Sequence, residues 1–236
     1  MNIKNRKRVL LLLCICLMIF GMSVCLYGCN KNTDNVNGKN TQQKLNNEDM
    51  NEVIEEIRNK QHPFFTELVY VSRDKVIFNG TVGLIVYDLQ KREIVRAIDL
   101  TDIHMNLIQG DDVTIFESNK DGKKILMYND IFAYKHTDGG EFVKTEKKEL
   151  EGRYLYDVES DILDTTDIEK VENKYALERF EKENTEESDK EYLNSAYIDK
   201  NTICTIAVPK GSDKMSDLEI IISDEEGNES DIYNVF

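Results

Sequence analysis

Nothing limits the architecture of this chain more than the spacing of its short apolar runs between residues 68 and 145. Leu68 to Val71, Val76 to Phe78, Leu84 to Tyr87 and Glu93 to Ile98 are rich in Val, Ile, Tyr and Phe and are separated by charged or Gly-containing turns. Such runs are too short for stable helices, and their β-branched and aromatic side chains suit a pleated, half-buried surface. A second series follows in Val113 to Phe116, Lys124 to Tyr128, Ile131 to Tyr134 and Phe142 to Thr145. A shift of 47 positions carries Phe78 to Ile125, Leu84 to Ile131, Ile85 to Phe132, Tyr87 to Tyr134 and Val95 to Phe142. Four short strands repeated at a period in the forties is the sequence form of a propeller blade. Two units cannot close a ring. The expected fold is therefore mainly β, with antiparallel blade-like meanders in two repeated units plus a C-terminal sheet; chance alignment of two meanders is the alternative.

The C-terminal sheet is expected from Asn194 to Ile198, Thr202 to Val208, Leu218 to Ser223 and Ser230 to Val235, with a turn at Asp224 to Asn228. Two helices interrupt the pattern. Met50, Val53, Ile54 and Ile57 recur at helical spacing between a capping Asn47 and the breaker Pro63, which predicts a short amphipathic helix over 48–60. Thr166-Asp167-Ile168-Glu169 has the form of a capping box, and Ile168, Val171, Tyr175 and Leu177 or Phe180 share a face, which predicts an inserted helix over about 167–182. The acidic run from Glu181 to Glu191 reads as a solvated loop or an extension of that helix.

Ahead of this domain stands an address. Lys4, Arg6, Lys7 and Arg8 precede an uncharged stretch from Val9 to Tyr27, and Leu26-Tyr27-Gly28-Cys29 ends it in the manner of a bacterial lipobox. The expectation is cleavage between Gly28 and Cys29 with lipidation of the Cys29 thiol; an uncleaved membrane anchor is the alternative. The basic cluster stays cytoplasmic in either case. Two acyl chains suffice for stable anchoring, at about 0.8 kcal/mol per buried methylene. Residues 29–47 follow as an Asn-rich tether with no aromatic residue, spanning roughly 25 Å as a random coil. The chain thus divides into a signal over 1–28, the tether, the helical segment 48–63 and a β-rich extracytoplasmic domain over 64–236.

Charge and cysteine usage narrow the partners. Without the four basic residues of the signal, 26 of the 30 Lys and Arg remain against 45 Asp and Glu, a formal charge of −19. Such a surface repels phosphate backbones, so nucleic acid is not an expected partner, while the membrane is reached through the lipid and a membrane protein or cell-wall component is the expected contact. Cys14, Cys16, Cys25 and Cys29 belong to the signal or its end, which leaves Cys204 alone in the domain. Its place between Ile203 and Thr205 in an apolar run suits a small buried hydrophobe better than a reactive thiol.

Motifs for chemistry are sparse. His62, His104 and His136 lie far apart without ligand-spaced partners, so no zinc site is expected. Ser72-Arg73-Asp74-Lys75 fits S-x-x-K, but in a turn between strands and without the companion motifs of the penicillin-binding enzymes. An EF-hand register on Gly122 supplies Glu117, Asn119 and Asp121 but ends on Tyr128, and one on Gly227 begins on Ile222. Asp157, Glu159, Asp161 and Asp164 form a carboxylate run of the kind that is ordinarily a solvated face. No metal and no cofactor are expected.

Gly83-Leu84-Ile85-Val86-Tyr87-Asp88-Leu89, Ala97-Ile98-Asp99-Leu100, Gln109-Gly110-Asp111 and Asp121-Gly122 together resemble an uncharacterised extracytoplasmic domain of Firmicutes. That domain occurs in small lipoproteins and at the C-terminus of membrane zinc peptidases similar to the β-lactam sensor. The resemblance covers about residues 64–150, and the segment from Ile203 to Phe236 more loosely. A Cys pair frequent in that group would fall at Met105 and Thr114, and both cysteines are absent here. The peptidase half is missing, so the resemblance carries over no catalytic residue and implies a sensory or accessory β domain. The expected function is a membrane-anchored lipoprotein acting as a non-enzymatic binding, sensory or accessory module. The alternative is a cell-wall-active hydrolase that assembles its site from scattered residues such as Ser72, Lys75 and the Asp157 to Asp164 carboxylates.

Overall fold

The computed structural model describes residues 43–44, 47–109, 112–136, 142–148 and 152–236. Gly28 and Cys29, the rest of the signal and nearly all of the tether lie outside the described residues. Residues 40–236 form one compact unit.

The chain is mainly β, as its spacing predicts, and its sheets are antiparallel and open. The first sheet is a plain meander of β2 (Glu67–Val71), β3 (Lys75–Asn79), β4 (Gly83–Asp88) and β5 (Glu93–Asp99). The third is another, built from β12 (Lys190–Asp199), β13 (Thr202–Pro209), β14 (Glu219–Ser223) and β15 (Glu229–Asn234). The second has seven strands. Its centre is β7 (Asp112–Ser118), β8 (Lys124–His136), β10 (Arg153–Asp157) and β11 (Ile162–Thr166), extended at the edges by β6 (Ile108–Gln109) and β1 (Gln43–Lys44). β9 (Phe142–Lys148) pairs with the distal half of β8 as a projecting hairpin.

The first sheet is the middle layer. Val76, Phe78, Ile85 and Tyr87 on one face join Cys204, Ile206, Ile220 and Ile222 of the third sheet in one core. Ile77, Leu84, Val86 and Ile98 on the other face join Ile125, Met127, Tyr156 and Leu163 of the second sheet in another. Burial on both faces removes the usual alternation, which is why β4 is buried from Gly83 to Tyr87 without a break.

Helix α1 (Asn47–Lys60) forms where the helical spacing places it. Its apolar side chains Met50, Val53, Ile54 and Ile57 pack on the core between the first and third sheets, and Ile57 is fully buried. Gln61, just beyond, is 4 % exposed, and its Oε1 accepts from the N–H groups of Val82 and Gly83 at 3.2 and 3.3 Å.

Two expectations are corrected. The inserted helix over 167–182 does not form. Thr166 ends β11 opposite Arg153, its Oγ1 accepts from Ile168 N–H at 3.2 Å, and the Arg153 guanidinium takes the carbonyls of Ile168 and Glu169. Those carbonyls are the acceptors a first helical turn would have needed. The segment instead runs as an extended strap that bridges Asn119 through Lys174 and Ala196 through Arg179.

The repeat at 47 positions is also revised. It aligns β2 with β7 but fails afterwards, because Lys124 to Tyr128 and Ile131 to Tyr134 belong to one continuous strand, β8. Cross-strand partners give the true equivalence: Val76 pairs with Tyr87 and Tyr87 with Ile94, as Ile125 pairs with Tyr156 and Tyr156 with Leu163. The outer hairpins are therefore related by 69 positions, and the β8–β9 hairpin is an insertion within the second unit.

Candidate functional site

A groove of about 420 Å³ opens between β2 of the first sheet and β7 of the second, with residues 174–179 along its side. β2 lies beside both β7 and β12, and the strap crosses this junction. The strap is stitched to both neighbours: Tyr175 N–H donates to Ser118 C=O at 2.8 Å, and Phe180 N–H to Ser195 C=O at 2.9 Å. Tyr175 packs against both cores, its ring centroid 4.7 Å from that of Tyr70, and its hydroxyl donates to Val71 C=O at 3.1 Å.

Glu117 is the chemically distinctive residue of the groove. β7 directs its side chain to the same side as Ile115, opposite the core-facing Phe116. The side chain is only 8 % exposed, while its salt-bridge partner Lys174 is largely in solvent. Oε1 accepts from Lys174 Nζ at 2.7 Å and from Tyr128 Oη at 3.1 Å. Oε2 is buried and has no hydrogen-bond partner. Burial first, then the Glu117 charge and its hydrogen bond, push the Tyr128 phenol up to about 12, so the donor stays protonated at neutral pH. At the same opening, Arg179 contacts Glu67 at 3.4 Å and Asn194 Oδ1 at 2.9 Å, and Phe65 is 49 % exposed. A buried carboxylate with one satisfied and one unsatisfied oxygen is primed to accept from an incoming donor, because leaving that oxygen dry and unpaired is costly.

A larger hollow of about 780 Å³ lies between α1, β5 and β11, rimmed by Glu52, Glu56, Asp99 and Asp102. Glu56 pairs with Lys60, and Asp99 Oδ1 accepts from Thr101 and Asp102 in its own turn. Glu56 and Asp99 thus have local duties that Glu117 Oε2 lacks.

The residues singled out in the sequence are scattered. Ser72 Oγ accepts from the N–H groups of Asp74 and Lys75 and donates to Lys75 C=O, closing the β2–β3 turn. Lys75 Nζ reaches across to Gly122 C=O at 3.0 Å, and burial is the main cause that lowers its pKa. Asp157 caps its turn through the N–H groups of Glu159 and Ser160, which hold its pKa below the usual carboxylate value. Glu159 pairs with Lys123, Asp161 accepts from Tyr156 Oη at 2.7 Å, and Asp164 lies on β11. Asn119 Oδ1 serves Lys123 and Lys124 N–H in the β7–β8 turn. Among the described residues no group of three His, Cys, Asp or Glu is placed to hold a metal ion. Cys204 is fully buried, and desolvation raises its thiol pKa far above the ordinary value. His62 Nδ1 accepts from Phe64 N–H, and its ring stacks on Phe64.

Sequence reasoning met Glu117 only as a calcium ligand in a failed register. The available signal was an acidic residue directly after the apolar run Val113 to Phe116. No family model matches this chain, no curated protein is similar to it, and no solved structure resembles it.

Proposed function

We propose that this protein is a membrane-anchored lipoprotein whose domain serves as a non-enzymatic binding, sensory or accessory module on the extracytoplasmic face, held there through Cys29. Its three sheets act as blade-like units of an open, propeller-type arc, with β2 and β7 of adjacent units lining one binding groove. The observation that carries this reading is Glu117 Oε2, a buried and unpartnered acceptor lining a groove formed by strands of separate sheets. The lipobox at Leu26 to Cys29 and the Asn-rich tether supply the means of presenting such a groove near the membrane. The test has two arms. Cys29→Ser should release or misprocess the protein on fractionation, and unchanged mobility in the membrane fraction would favour the uncleaved anchor. A photocrosslinking residue at position 65 should give a discrete adduct in intact cells that the same residue at exposed Ile232 does not. Hydrolysis of a peptidoglycan fragment that is lost on Ser72→Ala would replace the binding reading with the hydrolase.

A further inference from the structure

The groove holds a second set of unpaired hydrogen-bonding groups besides the buried Glu117 Oε2. Thr114 N–H donates to Leu107 C=O at 2.9 Å, and Ser118 C=O accepts from Tyr175 N–H at 2.8 Å, so both residues turn their backbone away from β8. Backbone direction alternates along a strand with a period of two, so Phe116, midway between them, points its N–H and C=O the same way. The Phe116 backbone thus faces away from its neighbour Met127 on β8, and among the described residues no backbone bond joins it to the loops or the strap on the other side. β2 forms the facing wall, and Leu68 and Leu107 supply apolar surface.

We propose that this groove binds an extended peptide that pairs its backbone with Phe116 and sets a lysine or arginine side chain against Glu117 Oε2. An N–H and C=O presented together at a strand edge are complemented by another strand's backbone, which supplies one donor and one acceptor at the same spacing. An unpaired carboxylate oxygen calls for a charged N–H donor, and charge-assisted bonds of this kind are about twice as strong as neutral ones. The chain's own net charge of −15 favours a basic partner. Lys174 occupies Oε1 from the solvent side, so Oε2 is the oxygen left without a donor. The volume suits two or three residues, so the groove reads a short segment of a longer chain.

This assignment rests on the binding-module reading and names its ligand. The test is calorimetric titration of the full chain with acetyl-Thr-Val-Lys-Val-Thr-amide, with the same peptide carrying norleucine for lysine, and with the lysine peptide N-methylated at both valines. The lysine peptide is expected to bind about tenfold more tightly than the norleucine peptide. N-methylation should abolish binding, and Glu117→Gln should bring the lysine-to-norleucine ratio close to one. Equal affinity for lysine and norleucine peptides on the unaltered chain overturns the proposal. So does undiminished binding of the N-methylated peptide, or no binding by any of the three. Two of these comparisons alter only the peptide, so they hold even where Glu117→Gln fails to fold. If the peptides fail while the position-65 crosslink still forms in cells, the binding-module reading stands and the peptide assignment alone falls.

Discussion

Single side chains hold the turns of this protein in register, and Gln61 shows how much one can carry. Its carboxamide is buried at the end of α1, serves the N–H groups of Val82 and Gly83, and places Nε2 3.4 Å from Thr66 Oγ1. Gly80 makes this possible, since a Cβ there would lie 2.1 Å from the Gln61 side chain. Gln61→Ala is expected to lower stability by about 1–3 kcal/mol, because it strands two donors. Gly80→Ala should destabilise the fold through the same contact, both effects being read from urea unfolding. A second device recurs at the end of the third strand of each unit. Asp88 Oδ1 accepts from Gln90 and Lys91 N–H, Asp157 Oδ1 from Glu159 and Ser160 N–H, and Asp224 Oδ1 from Asn228 N–H. Hydrogen bonds hold the Asp157 and Asp224 pKa values below normal in the folded state. A depressed folded pKa means that the unfolded chain binds protons first as pH falls, so the stability these groups contribute is present above the unfolded value near 3.9 and is lost as pH drops through the folded value. The melting temperature of the native chain should therefore fall more steeply below about pH 5 than that of Asp157→Asn/Asp224→Asn, whose amides keep the acceptor and lose the titration. Parallel curves would sink this assignment.

At the scale of elements, the strap over residues 173–180 decides how the sheets are joined. It covers part of the exposed edges of β7 and β12, and Tyr175 fills the space between the two cores. Tyr175→Ala should cost about 2–3 kcal/mol, less than truncation of a fully buried aromatic because the ring is only partly buried, whereas Tyr175→Phe, which loses only the bond to Val71 C=O, should cost about 1 kcal/mol. A near-neutral Tyr175→Ala in thermal unfolding would show the strap to be peripheral. The same element marks where the sequence stops being legible. Its capping box and apolar face are those of a helix, but Arg153, distant in sequence, competes for the carbonyls, and the edges of two sheets compete for the backbone. Local pattern carries no record of such partners. α1 was legible because its face meets one core and nothing else bids for its backbone. β10 and β11 were missed because the carboxylates of 157–164 obscured Tyr156 and Leu163, the equivalents of Tyr87 and Ile94. The insertion of the β8–β9 hairpin moved those equivalents out of the period that residues 68–145 suggest. Glu117 was equally hidden: a strand-borne acid becomes distinctive only when burial removes its solvent.

For the whole molecule, the order of layers has a thermodynamic consequence. The second and third sheets each use the first as the other half of their core, and no described core belongs to an outer sheet alone. Loss of either outer sheet would expose a complete face of the first, including Ile77, Leu84 and Val86 on one side or Val76, Phe78 and Tyr87 on the other. At roughly 25 cal/mol per Å² of apolar surface, such an exposed face is too costly for a partly unfolded state to persist. Unfolding of residues 40–236 should therefore be a single cooperative transition. The chain has no tryptophan and 11 tyrosines, and Tyr70 and Tyr156 report on one core while Tyr87 reports on the other. Tyrosine fluorescence and the circular dichroism of the strands should consequently trace the same urea midpoint. Ile77→Ala, in the core shared with the second sheet, should lower stability by about 2–5 kcal/mol, and the midpoint with it, without separating the two signals. A dichroism loss that precedes the fluorescence change, or a second transition exposed by Ile77→Ala, would mean that the sheets are independent units and that the central layer does not couple them.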